Sequence, residues 1–164
     1  MTLPIRIYEP PPEEPLPAPQ QQSAPDVPWA ELPRLDDVTV LVVDNEIDAR
    51  QIVAAILLQK GATVVEAASA EEALDLARHR DPDLIVSDIA MPGTDGYEMM
   101  RRFRQGSCRF VPAIALTACV APDDVAAALS AGYQKHLEKP VYAPELIRVA
   151  WDLAVAPRSL ATGT

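Results

Sequence analysis

The sequence contains little cysteine, no long apolar run and fewer basic than acidic residues. Its two cysteines, Cys108 and Cys119, have neither a metal-binding nor a redox spacing, so we expect small buried or half-buried thiols. No stretch approaches the roughly 18 apolar residues of a membrane helix. The first residues lack an export or transit signal. These absences predict a cytoplasmic protein without a membrane partner.

Positive charge is scarce as well. The chain has 14 basic against 24 acidic residues and a formal net charge of −10. A protein of this charge repels nucleic acid and anionic lipid. The charge therefore argues against a nucleic-acid partner, so we expect none, and it favours a protein partner or a cation.

Proline is concentrated at the start of the chain. Ten of the 17 prolines fall within the first 36 residues, where they prevent helices and strand ladders. We expect residues 1–36 to be an extended, largely disordered tail, either a solvated leader or a docking or spacing element. Trp29 and Leu32 are its residues expected to touch the folded part. We expect one domain over residues 37–156 and a short tail over 157–164.

From Val38 onward, short β-branched runs alternate with segments of helical period. Such repeats predict an α/β fold, a doubly wound five-stranded parallel sheet with helices on both faces. The first helix is expected to bury a face that starts at Ile52 and to end at Gly61, and nothing foldable is expected after about Ala156. The predicted strands are 38–43, 62–67, 84–87, 113–116 and 134–138.

Polar residues follow four of these strands, at the edge where such a sheet binds ligands. Asp44 and Asn45 follow the first strand, Asp88 the third, Thr117 the fourth and Lys139 the fifth. In the strand order 2-1-3-4-5, the first and third strands are neighbours, so Asp44, Asn45 and Asp88 should converge. Their oxygen atoms suit a magnesium ion. The Lys139–Pro140 bond is a candidate for the cis form.

Five motifs in order resemble the receiver domain of two-component response regulators, in a stand-alone form like the chemotaxis regulators. The resemblance covers about residues 38–155, with gaps of 44, 29 and 22 residues between Asp44, Asp88, Thr117 and Lys139. The motifs are Leu41-Val42-Val43-Asp44, the run from Leu84 to Gly93, Asp95-Gly96, Ala115-Leu116-Thr117-Ala118 and Leu137-Glu138-Lys139-Pro140.

This resemblance implies a phospho-acceptor rather than an enzyme, one that aids only its own phosphorylation and dephosphorylation. Asp88 would accept a phosphoryl group from a histidine kinase or a histidine phosphotransfer protein, with Lys139 neutralising charge. Magnesium would be held by Asp44, Asn45, Asp88 and the backbone carbonyl of Ala90. The family usually has a second acid where this chain has Asn45, so magnesium affinity should fall.

The resemblance also implies a switch. Thr117 would bond a phosphoryl oxygen, and the ring of His136 would move inward behind it. The shift would reposition the fourth helix, fifth strand and fifth helix, the face expected to bind a downstream protein. The sequence shows no DNA-binding or catalytic output domain, so we expect output through protein contact or a role within a phosphorelay.

Two other functions stay open. A receiver-like binding module that does not accept phosphate would explain Asn45. An aspartate-nucleophile phosphatase would use Asp44 as the nucleophile and Glu46 as the acid, but it would leave Asp88 without a role.

Overall fold

The structure is a computed structural model, and it describes residues 27–107, 109–118 and 121–161. The expectations for the leader up to residue 26, for both cysteines and for residues 162–164 concern positions outside these ranges. Within them, no helix is both long enough and apolar enough to cross a membrane. The predicted cytoplasmic location stays a prediction.

Five parallel strands form one sheet in the order 2-1-3-4-5, which confirms the predicted fold class. The central strands consist almost entirely of buried residues because helices cover both of their faces. The strands are β1 (Thr39–Val43), β2 (Thr63–Ala67), β3 (Leu84–Asp88), β4 (Ala113–Thr117) and β5 (Lys135–Glu138).

Six helices accompany the sheet in the described part of the chain, and the sheet separates the core into two apolar layers. Helices α1 and α5 pack on one face of the sheet, whereas α2, α3 and α4 pack on the other. Alternate residues of β1 point into opposite layers, Val40 and Val42 into the first and Leu41 and Val43 into the second. The helices are α1 (Ile47–Gln59), α2 (Ala70–Arg80), α3 (Gly96–Gly106), α4 (Pro122–Ala131), α5 (Ala143–Ala154) and α6 (Ala156–Ala161).

The first helix differs from its prediction. It begins at Ile47, and Ile52 lies on its outer side with 59% of its surface exposed, so the buried face predicted from Ile52 was wrong at that residue. Apolar periodicity alone missed the polar first turn. That turn forms because the N–H of Glu46 donates to Asp44 Oδ1 at 2.9 Å and the N–H of Arg50 donates to the Glu46 carbonyl at 3.0 Å.

Packing also begins before the predicted domain start at residue 37. Residues 27–36, here called the N-terminal strap, contain a short 3-10 helix at Trp29–Glu31 and place Leu32 and Leu35 in the core. Lys60, directly after α1, donates from its buried ammonium to the carbonyls of Trp29 and Leu32. The same ammonium lies 4.7 Å from the centre of the Trp29 ring. The contacts predicted for Trp29 and Leu32 are therefore confirmed.

The chain continues beyond Ala156 in helical form, so the expectation that nothing foldable follows was wrong. Arg158 of α6 is paired with Asp83, which also accepts the N–H of Thr39 at 2.9 Å and Arg109 Nη2 at 3.0 Å. One carboxylate at the amino end of β3 thus connects α6 with the start of β1. Apolar periodicity could not reveal a helix that is attached through an ion pair.

Candidate functional site

The site lies at the carboxyl edge of the sheet, where strand pairing brings together three distant parts of the chain. Asp44 follows β1, Asp88 ends β3 and Lys139 follows β5. The N–H of Asp44 donates to the Ala67 carbonyl at 3.2 Å, and that of Lys139 donates to the Thr117 carbonyl at 2.8 Å. Because all the strands are parallel, their ends and these three residues meet at one edge.

The Lys139 ammonium lies between two buried carboxylates. Its Nζ atom is 3.0 Å from Asp44 Oδ2 and 3.4 Å from Asp88 Oδ2. Only 1% of Asp44 and 6% of Asp88 is exposed. The Lys139–Pro140 peptide bond is cis, as the sequence predicted. The structure therefore gathers two buried carboxylates and one half-buried ammonium group into a small cluster.

Burial and charge act against each other in this cluster. Burial raises the pKa of Asp88; the nearby Lys139 ammonium lowers it in part, and the Asp44 carboxylate raises it further. Burial alone would lower the pKa of Lys139, but its hydrogen bond to Asp44 and the charges of both carboxylates raise it. Lys139 is therefore held as a cation. Ionisation of Asp88 is less favourable in the folded protein than in water, because its carboxylate is buried.

Backbone groups fix the second oxygen of each acid. The N–H of Glu46 donates to Asp44 Oδ1 at 2.9 Å, and the N–H of Ala90 donates to Asp88 Oδ1 at 3.2 Å. The hydroxyl of Ser87 donates to the Asp88 carbonyl at 2.8 Å. With one oxygen of each acid bonded to the backbone, the Oδ2 atoms are directed towards Lys139.

The start of α3 closes against the end of β3. The N–H of Gly96 donates to the Ile89 carbonyl at 2.9 Å, and the buried hydroxyl of Tyr133 donates to the Gly96 carbonyl at 2.8 Å. A β-carbon at position 96 would lie 2.5 Å from the carbonyl oxygen of Asp88, closer than atoms can approach. Only glycine permits this contact, which fixes the loop that follows Asp88.

The remaining predicted site residues lie around this cluster. Asn45 is exposed at the β1–α1 turn, Thr117 is half-buried at the end of β4, and Ala90 is exposed directly beyond Asp88. His136 is half-buried in β5, where it pairs with Ala115. Their predicted roles as ligands or switch residues stay predictions.

The chemistry of the cluster fits a hard cation. Asp44 and Asp88 provide buried oxygen atoms, and their mutual repulsion would be relieved by an additional positive charge. Among the described residues, no group of three or more histidine, cysteine, aspartate or glutamate side chains is arranged to hold a metal ion. Further ligands would therefore have to be amide, carbonyl or water oxygens, which magnesium accepts.

Arg50 also supports the site, although it was not among the predicted site residues. Its Nη1 atom donates to the Asp44 carbonyl at 2.7 Å, and its Nε atom lies 3.2 Å from Glu66 Oε1 in β2. Arg50 thus ties the turn after Asp44 to the neighbouring strand. A correct start of α1 would have placed this arginine one turn into the helix, close to the acid that it supports.

Comparison with known proteins agrees with this geometry. The sequence pattern of the response regulator receiver domain matches residues 40–150. The chain belongs to this family. Receiver domains are signalling modules of two-component systems rather than classical enzymes, and they interact with histidine kinases and downstream effectors.

Individual relatives support the assignment to different extents. An uncharacterised 14.6 kDa protein of Leptolyngbya boryana is 42% identical over 74% of this chain and 94% of its own length. The sensory/regulatory protein RpfC of Xanthomonas campestris is 33% identical over 79% of this chain. This receiver domain spans only 18% of RpfC and 45% of the transcriptional regulator AfsQ1 of Streptomyces coelicolor.

Solved structures agree as well. The Vibrio cholerae chemotaxis protein CheY4 superimposes with a TM-score of 0.66 at 32% identity, covering 72% of this chain and 98% of CheY4. The receiver domain of the Francisella response regulator 1452 gives a TM-score of 0.68 at 28% identity, covering 75% and 99%. The receiver fold therefore accounts for the region that contains the acid cluster.

Proposed function

We propose that this receiver domain accepts a phosphoryl group on Asp88 from a histidine kinase or a histidine phosphotransfer protein and passes the signal on by protein contact. The observation that carries the proposal is the position of the Lys139 ammonium, 3.0 Å from Asp44 and 3.4 Å from Asp88. A carboxylate at a strand end beside a fixed cation can receive a charged group without a large cost in repulsion.

In the proposed reaction, a carboxylate oxygen of Asp88 attacks the phosphorus atom of a phosphohistidine. An O–P bond forms, the P–N bond breaks, and the imidazole leaves with the electron pair of that bond. Only the ionised form of Asp88 is a nucleophile. Lys139 favours that form and stands where it can neutralise the oxygen atoms of the incoming group.

Magnesium is the proposed cofactor, held by Asp44, Asp88, the amide oxygen of Asn45 and the backbone carbonyl of Ala90. When bound, the ion would neutralise negative charge on the phosphoryl oxygens. Asp44 is held in position at two atoms: the N–H of Glu46 donates to its Oδ1 atom, and the Arg50 guanidinium donates to its backbone carbonyl. Asp44 would therefore take part in ion binding without reorganisation of its turn.

The proposed signal leaves the site through Thr117 and His136. The Thr117 carbonyl accepts the N–H of Lys139 at 2.8 Å, so a shift at the end of β4 is transmitted directly to the end of β5. His136 lies on β5, three residues before Lys139. We place the contact with a downstream protein on the face formed by α4, β5 and α5.

The test is incubation of the purified chain with magnesium and a small phosphodonor such as acetyl phosphate, followed by intact-mass measurement. We expect one phosphoryl increment on the unmodified chain and none on Asp88→Asn. Asp152→Asn, a change at an exposed position on α5, is the matched control and should be labelled normally. Full labelling of Asp88→Asn would contradict the proposal.

The same incubation tests the binding module, and a separate assay with a phosphate ester tests the phosphatase. A binding module that does not accept phosphate would show no increment on any variant, and the amide at position 45 is the feature that favours this alternative. A phosphatase that uses Asp44 would turn over a phosphate ester and lose this turnover in Asp44→Asn. The burial of Asp88 beside Lys139 favours the phospho-acceptor, because the phosphatase gives that acid no task.

A further inference from the structure

A groove opens on the surface between the later turns of α2 and α3. Its volume is about 240 Å³. Leu74 and Ala77 of α2 and Phe103 of α3 form its apolar wall. Phe103 lies roughly 10 Å along α3 from Gly96, where the helix begins next to Asp88. The groove is therefore separate from the acid cluster.

The packing beneath the groove is incomplete. A small gap of about 10 Å³ lies among side chains that are all apolar, and Leu74, Ala77 and Phe103 border both the gap and the groove. The gap has no polar side chain that would hold a water molecule in place. The two helices thus leave space at this wall, and an apolar ligand group would gain van der Waals contacts there that the helices do not make with each other.

The groove is positively charged although the protein is acidic. Three arginines and one aspartate line it, so its formal charge is +2, whereas the whole chain carries −10. Arg109 is paired with Asp81 at 3.2 Å, and Arg102 is paired with Glu98 at 3.1 Å. Arg78, in the last turn of α2, forms no ion pair or hydrogen bond with any residue that the structure describes. Its guanidinium is therefore available to an anion.

We propose that the groove binds a small aromatic carboxylate, with its ring against the apolar wall and its carboxylate on the Arg78 guanidinium. A guanidinium is planar and donates two parallel hydrogen bonds to a carboxylate, which favours this anion over a single point charge. Sites for drug-sized ligands measure about 300–1,000 Å³. A groove of about 240 Å³ therefore suits a ligand of one or two rings. The inference is independent of phosphorylation at Asp88.

Titration of the ¹⁵N-labelled full chain with 2-naphthoate, followed by amide NMR spectra, tests the binding. We expect saturable shifts with a Kd of about 1 mM or tighter, centred on the amides of Ala77, Arg78 and Phe103. The alcohol 2-naphthalenemethanol has the same rings without the charge and should bind about fivefold more weakly. Shifts that do not saturate, that lie elsewhere, or that are equal for the two compounds would overturn the proposal.

A pair of arginine variants tests the anchor. Arg78→Gln removes the charge but keeps a polar side chain, so 2-naphthoate should bind about fivefold more weakly. Arg80→Gln removes the same charge two residues further along α2, at an exposed position that does not line the groove, and should leave the affinity nearly unchanged. Equal affinities of the two variants would contradict the assignment of Arg78 as the anchor.

A second pair of variants tests the apolar wall. Ala77→Leu fills part of the groove, so the affinity for 2-naphthoate should fall roughly tenfold. Ala55→Leu makes the same change at an exposed position of α1 and should have no effect on binding. Unchanged affinity in a folded Ala77→Leu variant would overturn the assigned wall. If that variant did not fold, Arg78→Gln would decide, because it alters only an exposed side chain.

Discussion

Lys139 determines how the two acids of the site carry charge. Its ammonium contacts both Asp44 and Asp88, yet Asp88 still has a raised pKa because burial outweighs the attraction of the lysine. The native state therefore has a charge at Asp88 that it does not fully stabilise. In the proposed reaction this arrangement would be useful, because a carboxylate that is not fully neutralised stays reactive towards an incoming phosphoryl group.

The cost of this charge can be measured through stability. A group whose pKa is raised by folding supports the fold when protonated and loses that support as the pH rises through the raised pKa. Asp88→Asn should therefore melt at a higher temperature than the unmodified chain at pH 7 without metal. The gain should disappear when the pH falls below about 4, near the pKa of an unfolded aspartate.

The control for this prediction is Asp152→Asn, a change at an exposed position that should leave the melting temperature nearly the same at both pH values. Calorimetry or circular dichroism gives the comparison. If Asp88→Asn melted lower at pH 7, the attraction to Lys139 would dominate over burial, and the direction given for the pKa of Asp88 would be wrong.

Asn45 provides a second test at the scale of one residue. Asn45→Asp keeps an oxygen ligand and adds a charge, so magnesium affinity should rise several-fold if this residue faces the ion. Without the ion, the added carboxylate beside Asp44 should lower the melting temperature. Because Asn45 is exposed, water screens this repulsion and the drop should be small.

Magnesium titration and melting with and without the ion measure both effects. Gln51→Glu adds the same charge at an exposed position further along α1 and should not change the affinity. Unchanged affinity in Asn45→Asp would mean that residue 45 does not face the ion.

At the scale of elements, the junction between β3 and α3 depends on one glycine. Gly96→Ala forces a β-carbon against the backbone of Asp88 and Ile89, at 2.5 and 2.8 Å, and neither can move without disturbing the site. We expect a loss of about 1–3 kcal/mol in the free energy of unfolding, measured by urea denaturation, together with weaker labelling of Asp88.

Gly106→Ala is the matched control within the same helix. A β-carbon at position 106 meets nothing within 4 Å, so this change should leave both stability and labelling nearly unaltered. Equal behaviour of the two variants would show that the approach of α3 to β3 is not as close as described.

At the scale of the whole molecule, the fold includes a segment outside the family pattern. The pattern begins at residue 40, whereas the side chain of Leu35 is fully buried in the layer formed with α1 and α5. Leu35→Ala should cost about 2–4 kcal/mol of unfolding free energy, because it leaves a cavity among packed side chains.

Leu160→Ala changes the same residue type at an exposed position in α6 and should cost little. Thermal or urea unfolding distinguishes the two. A loss below 1 kcal/mol for Leu35→Ala would mean that the N-terminal strap is only loosely attached and that the domain begins near residue 37 after all.

The amino-acid sequence by itself determined the alternation of strands and helices, the order of the sheet and the positions of Asp44, Asp88 and Lys139 at strand ends. These features could be predicted because local apolar periodicity encodes each element, and parallel pairing brings the strand ends to one edge. The cis bond before Pro140 could also be predicted, because a proline directly after a strand-end lysine is visible in the sequence. Asn45, Thr117 and His136 could be placed near this edge, and their roles as ligand or switch residues stay predictions.

Only the tertiary structure decided which surfaces are covered. It placed Ile52 outside, brought the strap under Lys60, joined α6 to Asp83 and set Arg50 behind Asp44. The last three depend on a contact between a side chain and a group elsewhere in the fold, and two of these contacts join groups that are distant in sequence. Apolar periodicity indicates which residues share a face of a helix. Which other element packs against that face depends on how the whole chain folds.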